Sequence, residues 1–200
     1  MQNTVWASER LVFRAIEPGD DAILYKFKTD PPTHLNVLAN IPAPVSKKTA
    51  AALREYLSSQ MLGVAITLRQ KDDDDDDDDN KVTTIGFTVL RMDNKEHHHR
   101  CAAVGISLGK EYQGKGYGSE ALRWLLEWGF LYANLHRIEI TVYGWNSGAR
   151  RLYEKLGFVQ EGVRRKALWF NGQWWDDFSL GLLKEEWEEK YGSARPLITT

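Results

Sequence analysis

Apolar and polar positions change period several times along the chain, and each change marks an element. The run Leu11-Val12-Phe13-Arg14-Ala15-Ile16 predicts a first strand, and a short helix is expected over 20–29, with Asp20 or Asp21 near its start. Pro31-Pro32 and Ile41-Pro42-Ala43-Pro44 punctuate a loop. Ser46 is placed to cap a helix running from Lys47 to about Met61, with Ala51, Leu53, Tyr56, Leu57 and Met61 available for packing. Strands are expected over 64–70, 82–92 and 103–108, then a long helix over 118–134. Residues 137–143 alternate, with Ile138, Ile140 and Val142 on one face of a strand. Asn146 is a favoured N-cap, and Ala149, Leu152, Tyr153 and Leu156 then recur at helical spacing up to Gly157, a residue suited to a left-handed cap. Asn171-Gly172 is a strong hairpin signal joining strands near 162–170 and 174–183. A short charged helix is expected over 184–191. Strands alternate with helices but hairpins also occur, so the pattern predicts an α/β (α+β) fold with a mixed rather than fully parallel sheet.

Two hundred residues suffice for one well-buried core, and no internal boundary is visible, so a single domain with its core over about 9–190 is expected. The net charge of −2 is misleading. Eight of the 28 acidic residues form one run, Asp72 to Asp79; setting them aside leaves 20 acids against 26 bases, a formal +6. The body of the chain is mildly basic, which suits a phosphate-bearing ligand and does not by itself argue for nucleic acid. Adjacent carboxylates repel one another and bury nothing, so 72–80 is expected to be a disordered hairpin insertion. A calcium loop would need spaced carboxylates and a turning glycine. The single Cys101 excludes an internal disulfide framework. No secretory signal and no membrane-length apolar stretch is visible, so a cytoplasmic protein, monomer or homodimer, is the default.

Candidate chemistry centres on Gln113-Gly114-Lys115-Gly116-Tyr117-Gly118, between a strand and a helix that opens on Ser119. Alternating glycines let backbone N–H groups close on a ligand, and the helix start adds unpaired N–H groups and a positive dipole end. Together these make an anion cradle for a phosphate or pyrophosphate. A P-loop would need Ser or Thr after Lys115, where Gly116 stands, and a dinucleotide fingerprint would need glycine at Ser119. Two further patterns are decoys. Gly105-Ile106-Ser107-Leu108-Gly109 matches a hydrolase nucleophile elbow, but a loop separates the serine from the next helix and only His136 lies downstream. His97, His98 and His99 cannot all point one way, and no second ligand cluster follows, so they read as a turn and no metal is expected.

The order Q-x-x-G-x-G from Gln113 to Gly118 resembles the pyrophosphate loop of the GNAT superfamily of acyl-CoA N-acyltransferases. Asn146 followed by Leu152-Tyr153-Glu154-Lys155-Leu156-Gly157-Phe158 resembles a second block of the same family. The resemblance spans about Leu11 to Trp187, with Glu161-Gly162 and Phe170-Asn171-Gly172-Gln173 as further pieces. It is nearest to the spermidine N-acetyltransferases and the acetyltransferases of ribosomal-protein N-termini.

This resemblance implies a three-layer fold with a mostly antiparallel sheet of about six or seven strands, split to admit acetyl-CoA as co-substrate. It implies that the cofactor meets Ile106, Ser107 and Leu108 at a strand end, then Gln113, Gly114, Lys115, Gly116, Tyr117, Gly118 and Ser119 in the loop. Asn146 would face the pantetheine or acetyl end, and Arg150, Arg151 and Lys155 are candidates for the outer phosphates. Tyr153 is implied as the acid for the departing thiolate, although its place on the apolar stripe also suits a core residue. An oxyanion could be held by a backbone N–H near Ser107–Leu108. The base is open: Thr141 and Tyr143 point inward but are poor bases, and Glu17, Glu111 or a water remain. The expected reaction is acetyl transfer to a primary amine, on a peptide N-terminus or a small molecule. A polyamine acceptor and a degenerate acyl-CoA-binding module are the alternatives.

Overall fold

The computed structural model describes residues 5–30, 41, 43–69, 83–92 and 97–192. Among these residues seven strands form one sheet in the order β1-β2-β3-β4-β5-β7-β6. They are β1 (Leu11–Ala15), β2 (Leu62–Leu68), β3 (Thr84–Arg91), β4 (Cys101–Leu108), β5 (Arg137–Tyr143), β6 (Val159–Phe170) and β7 (Gln173–Leu183). Every neighbouring pair is antiparallel except β4 and β5. The helices are α1 (Asp21–Thr29), α2 (Lys47–Ser58), α3 (Tyr117–Glu127), α4 (Ser147–Leu156) and α5 (Lys184–Tyr191).

Strand alternation explains the layering. Val64 and Ile66 of β2 join one apolar cluster, while Ala65 between them joins another, so the two clusters lie on opposite faces of the sheet. The larger packs Ile138, Ile140 and Val142 of β5 with Leu122, Leu125 and Leu126 of α3 and with Tyr153 and Leu156 of α4. The Trp124 ring stacks on Phe13 at 3.7 Å between centroids, and its Nε1–H donates to the Val5 carbonyl at 2.7 Å. The smaller cluster packs Leu24 and Phe27 of α1 and Ala50 of α2 on Ala65 and Phe87. Helix, sheet and helix thus make three layers, as the family resemblance implies.

Local signals are realised closely. Asn146 Oδ1 accepts from the Ala149 N–H at 3.1 Å, capping α4, and Ser46 Oγ accepts from the Thr49 N–H at 3.3 Å, capping α2. Asn171 and Gly172 take φ of 48° and 79°, the left-handed pair that a two-residue hairpin requires.

Other boundaries moved. Helix α2 stops at Ser58 and buries Ala50 rather than Ala51, while Tyr56 and Met61 stay exposed. The helix expected over 118–134 is α-helical only to Glu127. It then widens into a π turn, Trp128–Tyr132, in which the Ala133 N–H reaches the Trp128 carbonyl. Strand β6 begins at Val159, earlier than its sequence suggests, because β7 offers a long antiparallel partner. The aspartate run and the Pro31-Pro32 pair lie outside the described residues.

Candidate active site

Strands β4 and β5 run side by side for three pairs only, Cys101 with Arg137, Ala102 with Ile138 and Ala103 with Glu139. Beyond them β4 stays on β3, to Leu108 opposite Gly86, while β5 stays on β7, to Tyr143 opposite Asp177. A wedge opens between the two, and among the described residues one long edge of β4 faces no strand. A cavity of about 320 Å³ fills this wedge and reaches α1 and α2. Ile106 and Ser107 line it from β4, Thr141 and Tyr143 from β5, Tyr153 from α4 and Asn146 from that helix's N-cap.

At the end of β4 the chain turns into the glycine loop. Gly114 and Gly116 take φ of 73° and 85°, so both sit where a side chain would be strained. The Gln113 Nε2–H donates to the Leu108 carbonyl at 2.9 Å, holding the loop to the strand rather than pointing at a ligand. Tyr117, Gly118 and Ser119 form the first turn of α3, whose N-cap is Gly116. Ser119 Oγ is buried without a hydrogen-bond partner. Leu152 of α4 would lie 3.5 Å from a Cβ placed on Gly118, so the two helices meet at the loop. Arg151 and Lys155, beside Leu152 on α4, are exposed with no ion pair among the described residues. Arg150 is committed elsewhere, to Glu154 at 3.0 Å, to Gln160 at 2.9 Å and to the face of Phe178. A cradle of this kind, beside an open strand edge, fits a pyrophosphate followed by an amide-bearing arm.

Tyr153 belongs to both of its expected settings. It is 7% exposed and packed in the larger apolar cluster, yet it also lines the cavity. Burial, with a contribution from Tyr143, pushes its phenol up to about 12. The hydroxyl therefore stays protonated through neutral pH and is available as a donor.

Two carboxylates considered as bases lie away from this cavity. Glu111 pairs with Lys26 at 3.0 Å on the surface, and Glu17 is an exposed residue whose N–H donates to Asp20. Ser107 lies inside β4 rather than at a strand-to-helix turn, and His136 sits beside Glu185, so no nucleophile elbow is formed. His97, His98 and His99 make one exposed helical turn. Among the described residues no group of three or more His, Cys, Asp or Glu side chains is placed to hold a metal ion. Among the same residues no helix is long and apolar enough to cross a membrane.

Several features escaped sequence reasoning. Arg10 braces the glycine loop from behind, with Nη1–H donating to the Lys115 carbonyl at 3.2 Å and the guanidinium over the Tyr117 ring at 4.6 Å. Glu120 receives Arg10 Nε–H and Ser8 Oγ–H, each at 2.7 Å. Burial raises the Glu120 carboxyl, but the Arg10 N–H, the Ser8 hydroxyl and the Arg10 guanidinium together hold it below its usual range. Asp177, opposite Tyr143, is 4% exposed; Arg164 takes Oδ2, and Oδ1 has no hydrogen-bond partner. Lys28 and Arg91 line the cavity. Each is an isolated polar residue in an ordinary run, and no local motif marks it.

Known proteins resemble this chain in sequence and fold. Residues 10–159 match the acetyltransferase (GNAT) domain family. YnaD of Bacillus subtilis (strain 168), named an uncharacterized N-acetyltransferase, is 30% identical over 90% of this chain and 97% of its own length. The prophage-derived uncharacterized N-acetyltransferase YokL of the same organism is 27% identical over 96% of this chain and 100% of its own. Among solved structures, spermidine N-acetyltransferase from Vibrio cholerae, in complex with CoA and spermine, superposes with a TM-score of 0.73. It covers 90% of this chain and 99% of that one at 24% identity.

Proposed function

Because the chain belongs to the GNAT acetyltransferase family and is an acetyl-CoA-dependent N-acetyltransferase, we propose that it passes the acetyl group directly to a primary amine held in the β4–β5 wedge. The acceptor is a peptide N-terminus or a small-molecule amine. The observation that carries this reading is that one cavity is bounded by the edge of β4 that parts from β5, by the Asn146 cap and by Tyr153, and that β4 leads from it into the glycine loop.

In this reading the N–H groups of Gly114 to Ser119 hold the pyrophosphate, with the dipole of α3 behind them. Arg151 and Lys155 serve the outer phosphates. The free edge of β4 at Ile106, Ser107 and Leu108 pairs with the amides of the pantetheine arm and brings the thioester beside Asn146. The neutral amine attacks the thioester carbonyl. The C–N bond forms as the C–O double bond opens, and a β4 backbone N–H receives the oxyanion. Collapse breaks the C–S bond, and Tyr153 supplies the proton to sulfur. The amine proton leaves through water in the wedge, since none of the described residues lining it is a carboxylate. A phenol near 12 is a weaker acid than an ordinary tyrosine, so its role is to donate to developing charge on sulfur rather than to ionise beforehand.

A polyamine acceptor is the second reading, and the spermine complex of the Vibrio cholerae protein favours it. A turnover assay reading free CoA with a thiol-reactive dye, across peptides, amino acids, simple amines and spermidine, separates the two. No CoA release above hydrolysis with any amine would overturn direct transfer.

A further inference from the structure

We propose that the acceptor amine belongs to an anionic molecule, whose carboxylate is held at the Arg91 end of the wedge, with Lys28 adding to the same positive field. The inference rests on reading this cavity as the acceptor site, and it concerns what that site selects.

The charged residues lining the cavity, among those described, are Lys28 and Arg91, and no carboxylate lines it. Neither cation has an ion pair or hydrogen bond among the described residues. A cavity wall carrying unpaired positive charge repels a polycation and attracts an anion. Lys28 is half-buried, and that burial pushes its ammonium down, so a counter-charge in the cavity would relieve the unpaired group.

Arg91 is not placed for the cofactor phosphates. It pairs in register with Ala103, at the closed end of the wedge, whereas the glycine loop follows Leu108 at the other end. Five residues of extended strand separate these positions, about 16 Å. An arginine whose backbone stands that far along the strand from the pyrophosphate cradle is free for a second anion, and its planar fork matches a carboxylate. Phe27, Tyr56 and Phe87 line the same cavity and suit an apolar body joining the carboxylate to the amine. A free amino acid and a peptide whose N-terminus is followed by an acidic side chain share this chemistry.

Calorimetry on the full chain saturated with CoA provides the test, using matched pairs of probes. Phenylalanine is compared with 2-phenylethylamine, Ala-Glu-amide with Ala-Gln-amide, and spermidine is the polycation. At least one carboxylate-bearing probe is expected to bind tenfold or more tighter than its neutral match and than spermidine. The pair that shows the preference identifies the source, amino acid or peptide. Arg91→Gln should cut the preference below threefold, and Lys28→Gln should reduce it partly. Both variants should keep their melting temperature and their CoA affinity within threefold.

Spermidine binding more tightly than every carboxylate-bearing probe would overturn the proposal. So would the absence of preference in both pairs, a preference unchanged in Arg91→Gln, or a large loss of CoA affinity in that variant. Because the readout is binding, failure of acetyl transfer is a separate result. Carboxylate preference without any acetylation would remove the transfer reading and leave the anion site standing.

Discussion

Arg10 and Glu120 lie 110 residues apart in the chain, yet the Arg10 Nε–H donates to Glu120 Oε2 at 2.7 Å and the Arg10 backbone N–H donates to Oε1 at 2.7 Å. The pair ties the start of β1 to the first turn of α3. The same guanidinium holds the Lys115 carbonyl of the glycine loop. Behind the proposed phosphate cradle, therefore, stands a side-chain clamp between two distant elements.

Glu120→Gln should keep the fold and loosen the loop. We expect the KM for acetyl-CoA to rise roughly ten- to a hundredfold, with kcat changed less, since a misplacement of about 1 Å is costly on this scale. Steady-state kinetics with varied acetyl-CoA checks it, and an unchanged KM would show that the clamp is dispensable. Because the carboxyl is held low, the clamp's contribution to stability is full above the ordinary glutamate range and is lost as pH falls through the lowered value.

Gly116→Val should abolish acetyl-CoA binding. The residue has φ of 85°, which a β-branched side chain resists, and a Cβ there would stand 3.2 Å from Arg10 Nη2. Isothermal calorimetry with acetyl-CoA is the measurement, and retained affinity would move the phosphate site elsewhere.

Tyr153→Phe should lower kcat by roughly 10²–10⁴-fold, the span of a positioned acid, with little change in acetyl-CoA affinity. The ring keeps its packing against Phe158, at 6.1 Å between centroids. A variant retaining more than about half its turnover, with chemistry limiting, would leave Tyr153 as a core residue only.

The raised phenol also makes a pH prediction. A group moved from 10.0 to about 12 by burial favours the folded state up to its unfolded value, and that advantage declines as pH rises from 10 through 12. Denaturant midpoints should fall over that window in the parent and less in Tyr153→Phe. Ionisation of Tyr153 should place no alkaline limb on kcat below about pH 11, a limit set by the same shift.

Gly86→Ala should destabilise the lip of the wedge. A Cβ there would stand 2.4 Å from the Ser107 carbonyl oxygen and 2.5 Å from Leu108 Cδ2, so β4 must shift. The cost should be about 1–3 kcal/mol, a fall in Tm of roughly 3–10 °C by thermal melt, with weaker acetyl-CoA binding.

Much of this architecture was legible from residue order, because it rests on interactions a few positions apart. The alternation of Ile138, Ile140 and Val142 specifies the buried face of β5 whatever lies opposite. Asn146 caps α4 through an N–H three residues on, and Asn171-Gly172 closes its hairpin by its own backbone preferences. The glycine loop was visible as an anion cradle for the same reason, whereas the site roles of Asn146 and Tyr153 came only from the family resemblance. What only the tertiary structure decided depends on pairings between distant segments. Strand period says which face a residue takes but not which strand lies beside it; the split itself was expected only from the family resemblance, and the register at which β4 parts from β5, after Ala103 and Glu139, has no local signature. The cavity inherits that limit. Lys28 comes from α1 and Arg91 from the end of β3, and they share a wall only because the sheet and the helix layer fold over the wedge. Arg10 and Glu120 meet for a similar reason, since β1 runs beneath the start of α3 and brings together two charges that sequence distance would never pair.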